Sequence, residues 1–138
     1  MLVQAILISA ALGFIISAYS TYSHYSASTE TFCDFGATVS CSVVNKSIYS
    51  EIVGIPVAII GMAGYLLIGA LVLAKTSWKW PFAASVLGLV FSGYLTWIEI
   101  FALQTYCILC LASQFLMLAI TIFSGILYTN EHNPPDRL

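Results

Sequence analysis

With 138 residues, of which 60% are hydrophobic and 7% charged, and a mean hydropathy of +0.97, the chain lies far outside the composition of soluble domains, in which about a quarter of residues carry charge. A net charge of −2 without any basic cluster excludes the electrostatic footprint of a nucleic-acid partner. What remains is an integral membrane protein, expected to be one all-α domain over residues 1–138: a bundle of four transmembrane helices with an outer cysteine loop and a short interfacial helix.

Four stretches without Asp, Glu, Lys or Arg each hold the roughly 20 apolar residues that cross a bilayer: Met1–Thr29, Ile52–Ala74, Trp80–Ile98 and Ile100–Asn130. The first span is placed at 2–22, followed by Tyr19–Tyr25, whose tyrosines suit an interfacial belt. The outer loop covers 23–53 and contains Cys33 and Cys41, then a serine- and asparagine-rich stretch suited to turns and to a short helix over the membrane mouth. Pro56 opens the second span at 54–74 and Pro81 the third at 80–102, both where a helix lacks a partner for that N–H in any case. Ala84, Gly88 and Ser92 repeat every four residues in the third span, a face that lets helix backbones approach closely. The fourth span is placed at 106–128, with Cys107 and Cys110 in its first turn and a disordered polar tail over 129–138, including Pro134-Pro135.

Lys75, Lys79 and Arg137 fall on one side of this arrangement and only Lys46 on the other. The positive-inside rule then places both termini in the cytoplasm and all four cysteines on the outer, oxidising side. Ser26-Ala27-Ser28 resembles a signal-peptide cleavage site, but no basic residue precedes the apolar run and that run is too long for an h-region, so the first span is expected to be retained.

Cys107-Ile-Leu-Cys110 puts two sulfurs on one helix face, close enough to close a disulfide or to act as a dithiol. At a helix N-terminus the free backbone N–H groups and the macrodipole favour a thiolate, the attacking species in thiol–disulfide exchange. Cys33 and Cys41 lie in a loop that Gly36 allows to bend; they suit either a structural staple or a mobile pair that meets an outside protein and then swings towards Cys107. A packing role for the C-x-x-C, or a zinc ion held by four thiolates, is the competing reading; the seven intervening residues between Cys33 and Cys41 depart from zinc-ligand spacing, and no metal is expected.

A dithiol at the membrane needs a lipid-soluble acceptor, and quinones have that property. A quinone site is largely apolar with a few polar groups for the carbonyls. Residues near the outer ends of the spans that could supply them are Asn45, Ser47, Tyr49, Tyr94, Trp97, Ser113 and Gln114, each of which could equally be a cap, belt or packing residue. Glu99 interrupts the outer part of the third span, either as a proton-handling or orienting group or as a solvated helix end.

Cys33-x7-Cys41, Ser47, Gly54-Ile-Pro56-Val-Ala, the Glu99 segment and Cys107-Ile-Leu-Cys110, in that order between Cys33 and Gln114, resemble the vitamin K epoxide reductase family. The resemblance implies a four-helix bundle around a quinone, with Cys33 and Cys41 as the shuttle pair, Cys41 exchanging with Cys107, and Cys110 facing the quinone ring. Ser47 matches the loop serine or threonine of the family. Prokaryotic members act in place of DsbB and reoxidise a thioredoxin-like, DsbA-like protein, which implies a prokaryotic inner-membrane enzyme with a periplasmic cysteine side. Ser113-Gln114 stands where the animal enzymes have Thr-Tyr, and Gly-Ile-Pro looks prokaryotic, which favours reduction of a ubiquinone or menaquinone over that of an epoxide or a vitamin K-type naphthoquinone. The fused thioredoxin domain of some bacterial relatives is absent from these residues, so the resemblance implies a separate redox partner. The alternatives are vitamin K epoxide or quinone reductase activity, or a non-enzymatic tetraspan protein with stapled loops.

Overall fold

Four apolar helices account for most of the fold in a computed structural model of the protein, which describes residues 1–26, 32–36 and 38–133. They are α1 (Leu2–Tyr25), α3 (Val57–Leu73), α4 (Lys79–Ile98) and α5 (Ile108–His132), and a five-residue helix α2 (Cys41–Asn45) lies in the loop after α1. By length and hydropathy, α1, α4 with its extension to Leu103, and α5 can each cross a membrane. The 17-residue α3 is shorter, about 25 Å at 1.5 Å per residue, near the lower limit for a span. The chain is an integral membrane protein of mostly helical structure, and exposed residues such as Ile8, Ile15, Leu66, Leu87 and Phe115 are those expected of a surface solvated by lipid.

Lipid gives apolar helices no solvent-driven reason to associate, so shape must hold them together. α1 packs against α3 and α5, and α4 against α5 and α3. Ile6, Ala10, Tyr65, Ile68, Val72, Met117 and Ile120 form the buried centre. Small residues on one helix admit large ones from the next: Gly13 lies under the Tyr65 ring and Gly88 against Met117. Ser85 and Ser124 meet between α4 and α5 at 3.3 Å, and Ser124 also donates to the Ile120 carbonyl. The Ala84–Gly88–Ser92 stripe expected to serve close packing does so at Gly88, but all three residues also line a cavity.

The two ends of the bundle differ. At one, Lys75 takes a left-handed conformation after α3 and the Thr76 N–H reaches back to the Leu71 carbonyl, a helix-stopping arrangement. Glu131 there accepts from Ser77 Oγ and from the Trp78 N–H, 2.9 Å away, so the residues after 128 that were expected to be a disordered tail continue α5 through His132. Ala27, Ser28, Arg137 and the Pro134-Pro135 pair lie outside the described residues.

At the other end sit all four cysteines. Strands β1 (Glu51–Ile52) and β2 (Ile55–Pro56) form a hairpin leading into α3. Its turn residues Val53 and Gly54 both have positive φ, 55° and 78°, as a two-residue hairpin turn of primed type requires. His24 ties α1 to this layer: its ring bonds the Asn45 carbonyl through Nδ1 and the Glu51 carboxylate through Nε2 at 2.9 Å. Beyond Ile98 the helix widens into a π turn, Glu99–Leu103, and stops at left-handed Gln104.

Candidate functional site

Helix α5 begins at Ile108, two residues later than the 106 expected, because the residues before it are engaged elsewhere. Val39 and Tyr106 form a parallel bridge, the Tyr106 N–H donates to the Thr38 carbonyl at 2.8 Å, and the Ser40 N–H donates to the Tyr106 carbonyl at 3.1 Å. Tyr106 is thereby drawn into an extended pairing with the cysteine loop. Cys107 becomes the N-cap of α5 and Cys110 its third residue, and the Cys107 sulfur accepts the Cys110 backbone N–H at 3.3 Å.

The same pairing carries the loop's sulfurs to the helix. Cys33 and Cys41 are joined by a disulfide, whereas Cys107 and Cys110 are free thiols. Cys33, Cys41 and Cys107 are fully buried and pack in one cluster with Val44, against which Leu103, Leu109 and Cys110 also pack. The loop, expected to be either a staple or a mobile pair, is seated here with its disulfide closed off from solvent. Ser40 holds this seat: its hydroxyl donates to Asp34 Oδ1 at 2.7 Å and caps α2 by accepting the Val43 N–H, while Asp34 Oδ1 also accepts the Ser42 N–H. A five-residue helix cannot persist without such support. Ser40→Ala is therefore expected to cost about 1 kcal/mol locally and to speed reduction of the Cys33–Cys41 disulfide by a soluble phosphine about fivefold, read by timed thiol labelling.

Cys110 reaches the other half of the site. A cavity of about 380 Å³ opens among α1, α3, α4 and α5, lined by apolar side chains together with Ser17, Ser20, Asn45, Tyr65, Thr96, Glu99, Cys110 and Ser113. That volume lies within the range of small-molecule sites. Asn45 is buried, and its Nδ2 has no hydrogen-bond partner among the described residues. A buried donor left unpaired costs about 1–3 kcal/mol unless a ligand satisfies it, so this atom marks where a ligand acceptor fits. Tyr65 donates its hydroxyl to the Ser113 carbonyl at 2.8 Å and lies 2.7 Å from Ser113 Oγ, fixing the wall one turn beyond Cys110.

Glu99 is buried at 3% exposure, and its Oε2 accepts the Cys107 N–H at 3.3 Å. Cys110 stands with it on the lining of the same cavity. The carboxylate therefore faces the cavity rather than interfacial water, which removes the reading of Glu99 as a solvated helix end.

The other expected polar residues separate by helical phase. Asn45 and Ser113 line the cavity. Ser47 and Tyr49 line a smaller recess of about 40 Å³ that shares Asn45, Glu99 and Cys110 with it; Ser47 Oγ donates to the Val44 carbonyl as part of a turn. Gln114 points aside and accepts a hydrogen bond from Thr96 Oγ1. Tyr94 and Trp97 do not line the cavity: each is 58% exposed, on the lipid side of α4. Tyr65, Thr96, Ser17 and Ser20 were not anticipated; counting back by three and four from Glu99 would have found Thr96.

Among the described residues no group of three His, Cys, Asp or Glu side chains is placed to hold a metal ion. The model of the Vitamin K epoxide reductase family matches residues 4–124, a stretch that includes all four cysteines and every residue lining the cavity.

Proposed function

The chain belongs to the vitamin K epoxide reductase family, an integral-membrane group of oxidoreductases that link disulfides to quinones, and from that premise we propose that it is a thiol:quinone oxidoreductase serving disulfide-bond formation. The observation that carries this reading is the position of Cys110, which touches the buried sulfur cluster on one side and the apolar cavity on the other.

In this reading a separate, thioredoxin-like (DsbA-like) protein is oxidised by the Cys33–Cys41 disulfide after the loop unseats. Cys41 then passes the electron pair by exchange with Cys107, and Cys107 and Cys110 deliver it to a quinone in the cavity. Exchange needs direct approach of thiolate to disulfide sulfur, which the loop pairing with Tyr106 favours. The structure holds the loop pair oxidised and the helix pair reduced, the distribution reached once electrons have moved inward. The quinone supplies two-electron acceptance in lipid. Asn45 Nδ2 would be a donor to one of its carbonyls, and Cys110 is the cysteine that lines the cavity; a ubiquinone or menaquinone headgroup suits these groups and this volume.

Lys75 and Lys79 lie at the end of the bundle opposite the cysteines. The positive-inside rule then puts the cysteine end outside a prokaryotic inner membrane and both termini in the cytoplasm.

Purified protein supplied with a reduced thioredoxin-like partner and a short-chain quinone is expected to form one quinol per disulfide generated; no quinol under these conditions ends this reading. A Cβ at Gly64 would meet nothing within 4 Å, and Gly64 lines the cavity. Gly64→Leu should therefore fill the site without disturbing the bundle. It is expected to raise the KM for quinone about tenfold or more while leaving loop-to-helix thiol exchange intact, measured by steady-state quinol formation beside disulfide mapping.

A further inference from the structure

The proposed reaction leaves one buried ionisable group without a task. Glu99 is closed off in the outer part of α4's extension, far costlier to bury than a polar cap, and a glutamine would accept the Cys107 N–H equally well. Its carboxylate accepts the backbone N–H of Cys107 and shares the cavity wall with Cys110. The other titratable groups on that wall are Cys110 and Tyr65, and Tyr65 is committed to Ser113. His24 bonds the Asn45 carbonyl and Glu51 bonds His24, and neither lines the cavity.

Resting on the quinone reading, we propose that Glu99 is a catalytic residue that takes the Cys110 thiol proton and delivers it into the cavity as the acceptor is reduced. Glu99 accepts the proton, leaving a Cys110 thiolate. That thiolate gives its electron pair to the acceptor, and the Cys107 sulfur closes the Cys107–Cys110 bond while releasing its own proton. The two thiols thus lose two electrons and two protons, and both pairs end on the quinone-class acceptor as quinol. Glu99 passes on the proton it holds and returns to the carboxylate. No water need enter the apolar cavity for either transfer.

The assignment makes a claim about proton count that needs no quinone to test. In a Cys107→Ala background, with the loop disulfide intact, the only free thiol is Cys110. If its proton moves to Glu99, the reactive and resting forms carry the same number of protons, so alkylation by a small maleimide is expected to be nearly independent of pH from about 6 to 8. Glu99→Gln keeps the acceptor for the residue-107 N–H but cannot take a proton, and alkylation should then rise about tenfold per pH unit. Glu99→Asp should retain the flat profile. A tenfold-per-unit rise with Glu99 present, or superimposable profiles for Glu and Gln, overturns the assignment, and the first of these needs no variant at Glu99. In the otherwise unaltered protein, Glu99→Gln should lower quinol formation about 100-fold at unchanged KM for quinone. A flat alkylation profile in a protein that forms no quinol would sustain the proton assignment and reject quinone as acceptor; quinol formation with a steep profile would do the reverse.

Discussion

Replacing Cys110 by Ala is expected to abolish quinol formation, by on the order of 10³-fold or more, and to leave one disulfide exchanging between the Cys33–Cys41 and Cys41–Cys107 pairs. The chemistry follows from which sulfurs remain. Cys107 is the N-cap of α5 and packs with the Cys33–Cys41 disulfide, so its thiolate can attack Cys41 and expel Cys33. In the unaltered protein that bond forms when Cys41 attacks Cys107 and expels Cys110, and Cys33 resolves it by attacking Cys41; with alanine at 110 no Cys107–Cys110 disulfide can form, so no electron pair leaves for the quinone and the Cys41–Cys107 bond exchanges only with Cys33. Disulfide mapping by mass spectrometry should find a fraction of the variant with Cys41 joined to Cys107 and Cys33 free to label. A variant that keeps Cys107 reduced while still forming quinol would remove the relay. The complementary Cys107→Ala should show the native Cys33–Cys41 bond and no covalent link between loop and helix, because Cys110 faces the cavity instead.

The features that position this chemistry were unequally legible in the sequence. Apolar runs announced the helices because the bilayer imposes a length on them, and the C-x-x-C announced exchange because sulfur spacing is chemical rather than conformational. Cys107 could not be identified as an N-cap from its neighbours: that depends on Tyr106 being drawn into backbone pairing with residues 38–40, a contact across about half of the chain. The hairpin before α3 was equally hidden, since Val53 is a β-branched residue at positive φ where a turn of this type ordinarily takes Asn or Asp. Tyr94 and Trp97 illustrate a different limit. Position along a helix follows from the sequence but facing does not, and Glu99 was the available reference: Gly88, Ser92, Leu95 and Thr96 share its face by steps of three and four, while Tyr94 and Trp97 fall between. In a span that is apolar all round, composition carries no such phase, so only the lone acid could supply it.

Gly13→Val is expected to destabilise the bundle by about 1–3 kcal/mol and to damage the quinone site at the same time, because one aromatic ring serves both. A Cβ at Gly13 would stand 2.2 Å from Cζ of Tyr65, well inside contact distance, and the ring cannot yield cheaply: it is 2% exposed, and its hydroxyl is held by Ser113 on α5. Moving it breaks that bond and shifts the cavity wall one turn from Cys110, so denaturant titration in micelles should show lower stability and quinol assays a higher KM. The steric origin is separable from any generic effect of valine in α1. Combining Gly13→Val with Tyr65→Ala should restore part of the lost stability, since the new methyls enter the space the ring vacates, whereas additive losses would place the clash elsewhere. The double variant should remain poor with quinone, because the Tyr65–Ser113 tie would still be missing. Stability recovering while turnover does not is the signature of a helix contact that doubles as a wall of the site.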